Sequence, residues 1–327
     1  MTDTARRMTF SQRVQIFVKA SPARMAVIIS LMLFAITVAF NPPSFNANTL
    51  NAVLQLTLLL SFAAAGQTMV LIGGGLDFSV GALMSSAAIL TTYLMNGQDG
   101  KFWLVLGLAM LMGAAVGFLN GFCCIKIDLP PMIVTMAISN VVTRVGYVLT
   151  QGSPSGWVGP SFRQSIVAKI AGVIPSLTLY ALIVFPLVFF LLNRSRFGKQ
   201  LYLMGNNPTA ASLAGIKVNK VRVLMYIFSG MLSCFAGMIG AGYMSTARAQ
   251  IFDEYAFTSL VAVIVGGTAF TGGIGSYTGS IAGALLITVL SNGLTVLQLS
   301  QPVRNIVQGV VMILLLILYN RARPVRQ

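Results

Sequence analysis

The carboxylates of this chain are few and scattered: Asp3, Asp77, Asp99, Asp128, Asp253 and Glu254, with no histidine anywhere in 327 residues. General acid–base catalysis and metal coordination both call for clustered Asp, Glu, His or Cys, so most hydrolytic and metal chemistry is left without its groups. Cys123, Cys124 and Cys234 lie in or beside apolar runs, without metal-type spacing, and read as packing residues. Nor is there a phosphate loop. Gly198-Lys199 and Gly100-Lys101 are followed by Gln200 and Phe102, where Ser or Thr is needed. The expectation is a non-enzyme, with no cofactor or metal of its own.

What remains for chemistry is glycine, hydroxyl and amide. The first glycine cluster, Gly73-Gly74-Gly75-Leu76-Asp77-Phe78-Ser79-Val80-Gly81, interrupts an apolar region. Triple glycine there breaks a helix and frees backbone groups that only protein or a watery cavity can satisfy. Gly74, Gly75, Asp77 and Ser79 are therefore candidates for the wall of a solute pathway, and a carboxylate near membrane depth needs a partner. The plainer reading is that Asp77 or Ser79 caps the next helix at the cytoplasmic surface; for Asp77 it is the preferred one.

The second cluster, Gly266 to Gly275 with Gly279 and Gly283 beyond, interleaves Thr268, Thr271, Ser276 and Thr278. Gly267 and Thr268 could face a polar solute in a broken helix, while Gly275, Gly279 and Gly283 have the spacing of close helix packing. Gln55, Gln67, Asn120, Asn140 and Asn292 are amides in or beside apolar runs. They would bond either a solute or another helix, the helix being preferred, and Gln67, Asn120 and Asn292 join the candidate pathway. Arg144 reads as a pore residue or a snorkelling one.

These residues must be positioned by membrane helices. The chain is 56% apolar and 8% charged, with a mean hydropathy of +0.85, and its apolar runs recur at bilayer-spanning lengths. Spans are predicted at Met25–Phe40, Leu50–Ile72, Val80–Met95, Phe102–Ile125, Met132–Leu149, Val173–Leu192, Val223–Met244, Ala256–Phe270, Tyr277–Gln298 and Pro302–Tyr319. The fold class is an all-α polytopic membrane protein of about ten transmembrane helices, forming one transmembrane domain over 1–327. Between the fifth and sixth spans, Thr150–Gly172 reads as an outer segment with an amphipathic helix.

The net charge of +15 tempts a nucleic-acid reading, but fourteen of the twenty-one cations fall in three short segments. Five precede the first span, six lie between Asn193 and Arg222, and three close the chain. The positive-inside rule puts all three on the cytoplasmic side, where they meet anionic lipid. Residues 1–24 form a cytoplasmic N-terminal segment preceding an uncleaved first span, both termini are cytoplasmic, and 193–222 is a cytoplasmic island. In the island, Asn206 or Asn207 can cap a short helix, Pro208 suits its first position and Gly215 can end it. Its small residues Ala210, Ala211 and Ala214 suggest a surface for a partner.

An internal repeat is faintly legible. Asn120-Gly121 and Asn292-Gly293 are each followed ten residues later by proline, an offset of 172 that pairs span four with nine and five with ten. With five spans per unit the halves are inverted, five plus five.

The chain resembles the permease subunits of ribose-type monosaccharide ABC transporters, relatives of the branched-chain amino acid permeases. The family's GGIDLSVG is similar to Gly74–Gly81, with Leu76 and Phe78 as variants; GGNxxAAxxSGI to Gly205–Ile216, with Asn206 and Ala214; GGTSLxGGxG to Gly266–Gly275; and SNGL stands at Ser291–Leu294. After Ala247-Arg248 the loop is shorter than in the family, and Tyr255-Ala256-Phe257 replaces Tyr-Glu-Leu. The resemblance implies a bacterial cytoplasmic (inner) membrane protein, paired with a second permease copy or a paralogue. It also implies cytoplasmic ATP-binding subunits that carry ATP and Mg, and an extracytoplasmic sugar-binding protein. The island becomes the coupling segment, with Asn206, Asn207, Pro208, Ala210, Ala211, Ala214 and Gly215 docking on the ATPase. The implied function is sugar import by alternating access. A proton- or cation-coupled secondary transporter using Asp77 is the alternative.

Overall fold

The computed structural model describes residues 22–300 except 128, 153 and 154, together with 302–304, 306, 307, 309, 310 and 313. Helices dominate: α1 Pro22–Phe40, α2 Ala47–Ile72, α3 Val80–Met95, α4 Phe102–Lys126, α5 Pro131–Leu149, α6 Pro160–Val167, α7 Thr178–Asn193, α8 Arg196–Asn206, α9 Pro208–Leu213, α10 Val218–Met244, α11 Tyr255–Val265 and α12 Tyr277–Val296. Among the described residues the strands are a two-residue antiparallel pair, β1 Lys169–Ile170 and β2 Ile174–Pro175.

Among the described residues six stretches are long and apolar enough to cross a membrane: α1, α2, Asp99–Lys126 (which contains α4), α5, α10 and α12. The pair α7 and α8 passes that test only together, bent by 59°. Most of the predicted span Pro302–Tyr319 lies outside the described residues. The predicted span Ala256–Phe270 is corrected: its helix stops at Val265 because Gly266 and Gly267 follow. Eleven residues rise about 16 Å, half of a hydrocarbon core.

The offset of 172 extends well beyond the motif that revealed it. Moved by 172, the bounds of α2 become 219–244, those of α3 252–267 and those of α4 274–298, against α10 at 218–244, α11 at 255–265 and α12 at 277–296. The two units run in opposite directions. Helix α2 starts near the β hairpin, where Asn51 Nδ2 donates to Val173 O, and ends beside Met225 in the first third of α10. Helix α10 ends beside α6, the helix that leads into the hairpin: Ser245 O accepts from Val158 N, and Gly242 lies against Phe162 and Ile166.

At the interface of the units, a Cβ on Gly81 would stand 2.7 Å from the carbonyl oxygens of Phe252 and Asp253. Positions 81 and 253 are related by the same offset, so the starts of the two short helices α3 and α11 meet at the pseudo-twofold axis.

Glycine lets the central helices approach to backbone contact. Side chains on Gly113, Gly117 or Gly121 of α4 would run into the α10 backbone at Gly230, Tyr226–Ile227 and Val223, and one on Gly66 of α2 into Ser229. Helices α2 and α10 thus form the buried centre. Around it α1, α4, α5 and α7 carry exposed apolar faces, with Leu31, Leu111, Ile133 and Ile183 outward, as lipid contact requires.

Candidate functional site

The sequence-selected residues fall in three places. The first is a sealed polar cluster. Asp77 has 0% of its surface exposed; its Oδ1 accepts from Ser79 N at 2.9 Å and Ser79 Oγ at 2.5 Å, and its Oδ2 from Ser229 Oγ at 2.7 Å. Asn120 Nδ2 donates to Ser79 Oγ at 2.8 Å. Donors thus converge on the carboxylate from the α3 start and α10, satisfying a buried acceptor that would otherwise be costly, while Asn120 of α4 braces Ser79. This corrects the expectation of a surface cap: Asp77 is fully buried in the protein, and Ser79, at the N-cap position, makes no side-chain cap bond. The turn ahead of α3 is held further by Phe78 N donating to Thr135 Oγ1 at 3.1 Å and Tyr226 Oη donating to Leu76 O at 3.3 Å. Thr135, Tyr226 and Ser229 escaped sequence reading, since hydroxyls in apolar helices carry no signal of their distant partners.

The second place is a junction of main chains at the island end. Gly273 N donates to Ile72 O at 2.8 Å, and Tyr202 Oη of α8 donates to Gly275 O at 2.9 Å. A Cβ on Gly205 would run into Ile72 O and approach Gly273 N within 2.7 Å; one on Gly272 would stand 3.0 Å from Gly74. The two glycine clusters, distant in sequence, therefore touch each other and the end of α8. Gly75 lies against Tyr226 and Met225 and Gly275 packs on Thr268, while Gly267 has a positive φ. Thr268 is buried, with its Oγ1 unpartnered among the described residues. The packing reading holds for Gly279 and Gly283, which would collide with Gly266 and Ala262 of the α11 end.

Beyond the junction, α9 is built as its residues dictate. Asn207 Oδ1 accepts from Ala210 N at 3.0 Å, Pro208 opens the helix, and Gly215 at φ +84° follows it. Asn206 is the last residue of α8. Ala210 and Ala214 are exposed, but Ala211 is 5% exposed and faces the chain itself, while Leu213 is 86% exposed. Leu213 is the outward apolar residue that a search for small side chains overlooks.

The third place is a cavity of about 500 Å³ at the hairpin end, between α2, α11 and α12, where Asn292 lies beside Glu254, Thr258, Thr288 and Arg304. Gln67 stands apart from all three, 1% exposed in α2, with both amide atoms unpartnered among the described residues.

The remaining polar candidates are structural or outward. Gln55 Nε2 donates to Ile166 O at 3.4 Å, and Asn140 Nδ2 donates within its own helix. Arg144 borders a hollow on the outer face of α5. The expected helix in 150–172 is α6; both Asp99 oxygens accept at its N-terminus, from Ser161 N and Phe162 N at 3.1 Å each. In the loop before α11, burial pushes the Asp253 carboxyl above its ordinary pKa, opposed by hydrogen bonds from Gln250 and Ser85. Among the described residues no group of His, Cys, Asp or Glu could hold a metal.

Inverted, glycine-packed helical units with apolar outer faces define a polytopic, all-helical membrane protein. The family model for the branched-chain amino acid transport system / permease component matches residues 49–316. The chain belongs to that family. It is 30% identical to the ribose import permease protein RbsC of Escherichia coli (strain K12), over 90% of this chain and 93% of that protein. It is 31% identical to RbsC of Bacillus subtilis (strain 168), over 90% and 92%, and 28% identical to the galactose/methyl galactoside import permease protein MglC of Escherichia coli (strain K12), over 88% and 90%. No solved structure gives a significant match.

Proposed function

We propose that this chain is the membrane-spanning permease subunit of an ATP-driven importer that moves a monosaccharide or similar polyol by alternating access. The observation that carries the reading is similarity along nine-tenths of the chain to import permeases for ribose and galactose. In this reading the protein is a single permease domain in a bacterial cytoplasmic membrane, with both termini and the 193–222 island inside. It pairs with a second copy or a paralogue, and receives sugar from an extracytoplasmic binding protein.

ATP and Mg belong to a cytoplasmic ATP-binding partner, which α9 meets through Pro208, Ala210, Leu213 and Ala214. Asn206, Asn207, Ala211 and Gly215 hold that helix in place. An ion-coupled carrier acting through Asp77 is the weaker reading, because the carboxylate is closed in by Ser79, Ser229 and the Asn120–Ser79 bond. The test is uptake into proteoliposomes. Sugar should enter only when the ATP-binding subunit, ATP and the binding protein are all supplied; uptake by this chain alone under a proton or sodium gradient would refute the proposal.

A further inference from the structure

The hairpin-end cavity has walls of two kinds. Glu254, Thr258, Thr288, Asn292 and Arg304 present hydroxyl, amide and one charge of each sign, while Leu60 contributes to an apolar side. At about 500 Å³ it falls in the range of roughly 300–1,000 Å³ usual for small-molecule sites. A net-neutral lining rich in hydroxyls, with an aliphatic wall, suits a neutral polyhydroxylated ring: its hydroxyls meet the polar side, its C–H face the leucine.

Gln67 is a second, independent observation. It follows Leu60 by seven residues, so it lies on the same face of α2 about 10 Å deeper. Ala64 and Leu71, on that face too, pack with Leu260 and Val263 of α11. A glutamine that is 1% exposed with neither Nε2 nor Oε1 bonded among the described residues is costly where it stands, and a buried orphan of this kind asks for a visiting ligand or water. Further along, Thr268 Oγ1 is also buried and unpartnered among the described residues.

We infer that the cavity between α2, α11 and α12 binds a neutral polyol, and that the Gln67 amide is the next group this solute meets as it moves deeper. The inference rests on the sugar-import reading and adds the place of contact.

The test uses the full transporter in proteoliposomes with Asn292→Ala, Thr288→Val and Gln67→Leu, measuring uptake of a panel of pentoses, hexoses and hexitols together with the melting temperature. The two cavity variants should raise KM severalfold and reorder preference within the panel. Gln67→Leu should keep or raise the melting temperature, since an unpaired amide is removed, yet lower uptake tenfold or more. Wild-type uptake and preference in all three variants would overturn the inference while leaving sugar import standing. Loss of uptake in Gln67→Leu together with a lowered melting temperature would mark that residue as structural and overturn its part. Absence of uptake of any sugar by the complete wild-type system would instead sink the import reading itself.

Discussion

Ser229 and Asp77, 152 residues apart, meet through a hydrogen bond of 2.7 Å from Ser229 Oγ to Asp77 Oδ2, with both residues 0% exposed. This bond ties the α10 midsection to the break between α2 and α3. Removing the hydroxyl leaves a buried carboxylate oxygen short of its donor, so Ser229→Ala should destabilise the protein by roughly 1–3 kcal/mol. Thermal unfolding in detergent reads this. An unchanged midpoint would mean that the bond carries no stability.

The main-chain junction predicts a contrast between glycines. Gly205→Ala and Gly273→Ala force a methyl group into backbone at Ile72 and Asn206 respectively, and should reduce the yield of folded protein sharply. Gly107→Ala, in α4 with open space around its Cβ position, should be neutral or stabilising by up to about 1 kcal/mol. Size-exclusion profiles of the three variants would separate these outcomes; equal behaviour would contradict the packing described.

The island helix gives a third contrast. Ala211 faces inward and Leu213 outward, so Ala211→Trp should lower the melting temperature, whereas Leu213→Ala should leave it in place. If α9 docks on an ATP-binding subunit, Leu213→Ala should weaken co-purification of that subunit severalfold. Retention of full binding would move the docking surface elsewhere.

Asp99 accepts two backbone N–H groups at the start of α6. Loss of a cap of this kind costs about 1 kcal/mol, so Asp99→Ala should speed amide exchange at Ser161 and Phe162 with little change in the global melting temperature. Exchange at wild-type rates there would show the cap to be dispensable.

Much of the helix order was legible from apolar run length, because a bilayer demands about 20 such residues whatever the fold. The island helix was legible too: Asn207, Pro208 and Gly215 act through local geometry. Asp77 was misjudged, because its neighbours in sequence suit a cap while its partner Ser229, and the Asn120 that braces Ser79, arrive from other helices. The meeting of Gly74 with Gly272 was equally hidden. Their clusters lie at no common offset, and only the fold brings them together. Ala211 looked outward-facing because side-chain size does not report direction. The offset of 172 understated its own reach, since backbone geometry has kept a correspondence that side chains have largely lost.

The contact of Gly205 with Ile72 and Gly273 is main chain against main chain. Rotamers can absorb small displacements where side chains interlock, but nothing of that kind intervenes here. Movement of α8 must therefore reach the end of α2 and the loop before α12 at nearly full amplitude, as through a linkage without slack. A single push at the island would be delivered to both inverted units at once.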